Sequence, residues 1–227
     1  GIDGGISLTG VDLSDNSAGV GSGAVANPGN GGGLHVTGAA NISISGGTIS
    51  GNTAALEGGG LWNGSGTMTI DDAVIDGNTA SGDAADDGGG GIFNNGGTVT
   101  ITGSSTVISN NVADGASGSG GGIFNATGGT ITISGVSITG NTANRAGGGI
   151  EDSSGSEGGI DLTGVTLSDN SAGVGSGAVA NPGNGGGLHV TGAGNVSFVG
   201  GEISGNSAAR EGGGLWNDTG TMTIDGT

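Results

Sequence analysis

The chain has no cysteine, no tyrosine and no lysine, only two prolines, and only five aromatic residues in 227 positions. Without cysteine there is no disulfide framework and no thiolate metal site, and the redox compartment is left unmarked. Arg145 and Arg210 are the only strong bases against twenty carboxylates, a net charge of −18. Such a balance disfavours contact with nucleic-acid phosphates or anionic lipid, and it suits solubility, a saline environment or divalent cations. No apolar run approaches the roughly twenty residues that span a bilayer, so no transmembrane segment is expected, and no signal-peptide pattern opens the sequence. The 62 glycines are clustered rather than spaced at every third position, which excludes collagen, and at this density glycine would not sustain long helices.

What is present is alternation and repetition. Ile, Leu and Val alternate with Thr and Ser, the pattern of half-buried strands. The segment Gly19 to Ala39 returns unchanged at Gly173 to Ala193, an offset of 154 residues that also carries Leu61-Trp62 to Leu215-Trp216. The expectation is one solenoid domain over residues 1–227, holding a first long repeat to about residue 154 and a partial second over 155–227, cut from a longer array. Within it a shorter unit is marked by a glycine cluster followed by Leu34, Leu61, Ile92, Ile123, Ile150, Leu188 and Leu215. The marks lie 27 to 38 residues apart, as coils with common strands and unequal loops would.

Each coil reads as three short strands, and the predicted fold is all-β, a right-handed parallel β-helix of about seven coils with a sheet on each of three faces. The first strand follows the glycines. The second alternates strictly, as in Thr67-Met68-Thr69-Ile70, with aliphatics inward and hydroxyls outward. The third ends in a phrase such as ISGNTA, whose asparagines are Asn16, Asn52, Asn78, Asn111, Asn141, Asn170 and Asn206. One asparagine per coil at a turn predicts a ladder of side-chain amides bonded from coil to coil.

These phrases resemble the repeats of the chlamydial polymorphic membrane proteins, autotransporter adhesins with GGAI and FxxN motifs. Ile49 with Asn52, Ile75 with Asn78, Ile138 with Asn141 and Ile203 with Asn206 take the FxxN positions, with Ile for Phe, and GGGI or GGGL stands for GGAI. The resemblance implies a β-helix at the cell surface or outside the cell, with an adhesive or structural role.

Parallel β-helices also carry polysaccharide-cleaving enzymes, so the carboxylates were weighed for catalysis. Asp71-Asp72 and the group Asp83, Asp86 and Asp87 have no Gly-His-Gly, Arg-x-Lys or lysine beside them, and no catalytic residue is assigned. Asp83, Asp86 and Asp87 are the candidate calcium ligands, since a hard cation takes several carboxylate oxygens; no other cofactor is expected. His35 and His189 occupy one position in two long repeats, five coils apart, and read as surface residues.

The residue after each glycine mark is His35, Trp62, Phe93, Phe124, Glu151, His189 or Trp216. Alternation directs this column outward, where its aromatics would form a strip for lateral contact between copies or for stacking on sugar rings, unless a loop such as 173–184 covers it. A second outward column holds Thr67/Thr69, Thr98/Thr100, Thr130/Thr132 and Thr221/Thr223, similar to the ice-binding faces of some β-solenoids. The expected role is therefore an extracellular stalk or self-assembling filament whose partners are copies of itself or surface carbohydrate. A carbohydrate-binding or polysaccharide-degrading helix is the alternative, and ice binding ranks below both.

Overall fold

A computed structural model describes residues 4–20, 29–174 and 183–226. The described chain is almost wholly short parallel strands, which fall into one sheet of thirteen strands and two of seven. It is a three-sided parallel β-helix, as the alternation predicts. One coil is representative: Thr67–Asp71, Val74–Asp76, Thr79–Ala80 and Ile92–Asn94. The coil thus has four segments rather than three. The first two belong to the large sheet, Thr79–Ala80 to the second sheet and Ile92–Asn94 to the third. In the sixth and seventh coils the first two segments are continuous, as Gly159–Ser168 and Asn195–Ser204.

The register follows from the aliphatic pattern. Met68 lies between Ile42 and Val99, and Ile70 between Ile44 and Ile101, so like stacks on like along the axis. In Thr67–Asp71 the apolar residues are buried and the polar ones exposed, strictly alternating. A single hydrophobic cluster runs through the interior from Val36 to Phe198. A one-residue slip would turn every aliphatic of a strand outward, which is why the pairing is so regular.

The bend before each ladder asparagine has its own sequence code. Asp15, Gly51, Gly77, Asn110, Gly140, Asp169 and Gly205 all adopt positive φ, between 54° and 66°. Only Gly, Asp and Asn occupy this site, the residues that enter the left-handed region at least cost. At the opposite edge, the glycine clusters let neighbouring coils touch through the backbone. Gly59 donates to Gly89 O at 3.2 Å and Gly60 to Gly90 O at 3.0 Å. A Cβ on Gly90 would lie 2.5 Å from the carbonyl oxygens of both Gly121 and Val112, so no other residue fits there. The connections of unequal length enter at this edge, between the second and third sheets.

Candidate functional site

The predicted asparagine ladder is present at all seven positions. Asn16 donates its Nδ2 to Asn52 Oδ1, and the pattern continues through Asn78, Asn111, Asn141 and Asn170 to Asn206, each bond at 2.9 Å. Each Oδ1 from Asn52 onward also accepts the backbone N–H of the asparagine below, as Asn111 Oδ1 does from Asn78 at 3.0 Å. The second N–H of each amide from Asn52 onward returns to a carbonyl of the coil below, as Asn111 Nδ2 does to Ile75 O. Every polar atom of the middle five amides is thereby used, which is what allows them to be fully buried.

The outward column forms a second stack, separate from the core. His35 lies over Trp62 with ring centroids 4.4 Å apart, Trp62 over Phe93 at 6.4 Å, Phe93 over Phe124 at 5.0 Å, and His189 over Trp216 at 4.4 Å. The expectation of an exposed strip is corrected here. Trp62 is 7 % exposed, Phe93 2 %, Phe124 1 % and His189 2 %, while His35 and Trp216 are partly buried. Ala126 packs on the Trp62–Phe93–Phe124 cluster. A shallow groove of about 200 Å³ lies over the two phenylalanines, with Glu57, Asp86, Asn95, Thr127 and Ser153 along its walls. Most of the loop expected to cover the strip, 173–184, lies outside the described residues.

Alternation alone did not reveal the glutamates that hold this stack. Glu57 Oε2 accepts from Trp62 Nε1 and from Asn30 Nδ2, both at 2.9 Å. Glu211 repeats the arrangement with Trp216 at 3.1 Å and Asn184 at 3.4 Å. The signal was available in the sequence, a glutamate five residues before each tryptophan. Burial raises the pKa of Glu57, as do the charges of Asp87 and Asp86, against the lowering effect of its bonds to Trp62 and Asn30.

A second ladder was also missed. Asn63 donates to Asn94 Oδ1, Asn94 to Asn125 Oδ1, and Asn125 to Asp152 Oδ1, at 2.9 to 3.0 Å. All four side chains are fully buried. Its sign was the asparagine two places after Leu61, Ile92 and Ile123. Asp152 ends the run beneath Val190, its partner in the next strand, and its Oδ2 has no hydrogen-bond partner. Burial raises its pKa; bonds from Ser154 and Asn125 oppose the rise and the neighbouring Glu151 adds to it.

His189 is not the surface residue expected. Its Nδ1 lies 2.9 Å from Glu151 Oε2, on the strand below, and both side chains are buried. Thr191 donates to the other oxygen, Glu151 Oε1, at 2.6 Å. His35 instead bonds the Asn30 carbonyl at 3.0 Å.

The three candidate calcium ligands sit in a surface loop of the third coil. Asp87 Oδ2 accepts the Ala84 N–H of its own loop, and Asp83 Oδ1 accepts the Ala116 N–H of the next coil, so both are engaged by backbone donors. Among the described residues no three His, Asp or Glu side chains converge as a metal site, Asp86 included. The threonine columns are in register across neighbouring coils, with Thr67, Thr69, Thr98, Thr130 and Thr132 exposed and Thr100 partly so. Among the described residues no helix is long and apolar enough to cross a membrane. No family model, curated protein or solved structure matches the chain, so the comparisons give the resemblance to chlamydial repeats no support, and the structure bears out only the parallel β-helix.

Proposed function

We propose that this chain is a structural element, a rigid stalk or self-assembling filament that works on the cell surface or outside the cell, without catalysis. The observation that carries this reading is the continuity of the Asn16–Asn206 ladder, in which every coil presents to the next the same donors and acceptors that it receives. A stack of that kind resists local opening because each turn is tied to both neighbours, and it extends without changing its rules. The acidity of the chain keeps such rods apart in solution unless a specific contact joins them. Among the described residues neither arginine forms a salt bridge with a carboxylate.

Electron microscopy and fibre diffraction of the purified protein test the role. Straight rods or filaments with an axial repeat of roughly 4.8 Å are expected; flexible or compact particles would remove the proposal.

The groove above Phe93 and Phe124 favours carbohydrate binding as a second reading. Glu57, Asp86, Asn95, Thr127 and Ser153 offer acceptors and hydroxyls suited to a sugar edge. Saturable binding on a glycan array that is lost in Glu57→Gln supports it, and absence of any such binding removes it.

A further inference from the structure

The core and the main asparagine ladder are nearly the same in every coil, so they do not distinguish one coil from its neighbour. Ile42, Met68, Val99, Ile131, Ile160 and Val196 succeed one another in one column. A stack that skipped a coil, leaving it as a loop, would still match aliphatic to aliphatic and asparagine to asparagine. Solenoid folding starts at any coil and spreads to its neighbours, so such errors are the natural traps of a repetitive chain.

One place in the described chain is different. Glu151 and Asp152 are adjacent, and they are its only buried carboxylates. Each finds its partner on a different side. Glu151 is satisfied only from above, by His189 and Thr191. Asp152 is bonded from the coil below, by Asn125, and by the Ser154 amide of its own coil. The aromatic stack and the second ladder both stop at this level: Phe124 faces Glu151, and Asp152 faces Val190.

We propose that Glu151 with His189, together with Asp152 on Asn125, is the key that fixes the order of coils in this repeat. With the seventh coil above it instead of the sixth, Glu151 faces Trp216, whose indole N–H is already bonded to Glu211, and it loses the donors His189 and Thr191. The only other histidine, His35, is in the first coil and far along the axis. A buried carboxylate with its donors in place adds little net stability over apolar packing, but one left without them is costly, so the contact acts by selecting against wrong neighbours. The same four residues recur nowhere else among the described coils, so the mark is made once.

Two deletions separate this role from simple packing. Removal of residues 98–129 joins the third coil to the fifth. Phe93 then replaces Phe124 beneath Glu151, Asn94 replaces Asn125 beneath Asp152, and the key is intact. Removal of residues 159–194 joins the fifth coil to the seventh, setting Glu151 beneath Trp216 and Asp152 beneath Asn217 in place of His189 and Val190. Both deletions take out one coil. Thermal unfolding followed by circular dichroism should give the first a Tm within about 5 °C of the parent, and the second a Tm lower by more than about 10 °C, or no folded state. Adding Glu151→Phe and Asp152→Asn to the second deletion continues both stacks and should recover most of the loss. Equal behaviour of the two deletions, whether both fold or neither does, overturns the proposal, as does a failure of the paired substitutions to rescue.

Discussion

Asn78 donates its Nδ2 to Asn111 Oδ1 at 2.9 Å, and Asn111 Oδ1 also accepts the Asn78 backbone N–H. One oxygen thus satisfies two donors of the coil beneath it, at a corner where the chain leaves the large sheet and no strand partner is available. Replacing Asn111 by Ala strips both, and it also removes the side-chain donor to Asn141 Oδ1, leaving that oxygen only the backbone N–H of residue 111. A loss of about 3 kcal/mol is expected from buried groups left unpaired. Urea unfolding measures it, and a loss below about 0.5 kcal/mol would show that water enters the corner freely.

Gly77 offers a cleaner test of backbone strain. Its φ is +63°, and a Cβ there would meet nothing within 4 Å. Gly77→Val should cost roughly 1–2 kcal/mol through conformation alone, while Gly77→Asn should cost much less. Equal costs for the two would mean that the left-handed geometry is not what selects the residue. Gly90→Ala is the steric counterpart; its Cβ meets two carbonyl oxygens, and unfolding or severe destabilisation is expected.

Asp152 should make stability depend on pH. Burial lifts its pKa in the folded chain, so the folded state holds that proton more tightly than the unfolded state does. Stability from this group is then fully present below the ordinary aspartate range and falls as pH rises through the raised folded value. Asp152→Asn removes the penalty, and the variant should gain on the parent as pH rises towards neutrality. Chemical unfolding of both proteins at several pH values gives the difference; a gap that does not change with pH rules out this assignment.

Phe93 is a packing residue if its burial governs its role. Phe93→Ala should then lose about 3–5 kcal/mol, as for any large side chain removed from a closed cluster. A loss under 1 kcal/mol would mean that the ring is held open to solvent and would return the column to the role of a contact strip.

Much of the fold was legible because it is local and repeated. The alternation of Thr67-Met68-Thr69-Ile70 specifies a strand and its inward face, and the asparagine in each ISGNTA phrase specifies a corner. The glycine clusters told of close backbone approach, which the contacts of Gly90 bear out. The second ladder was less visible, because Asn63, Asn94 and Asn125 also read as ordinary turn residues after a strand. The exposure of the aromatic column was misjudged for a different reason. Period two gives the direction of a side chain relative to the sheet, and says nothing of what a distant segment lays over it.

The sequence by itself determined the parallel coils, their inward aliphatics and the main asparagine ladder, since these depend on periodicity and on residues that neighbouring coils share. Only the tertiary structure decided that Trp62, Phe93 and Phe124 are covered, that Glu57 holds the Trp62 indole, and that Glu151 meets His189. Glu151 and His189 lie 38 residues apart along the chain. Their meeting depends on stacking register and on burial, which emerge only when the coils close on one another.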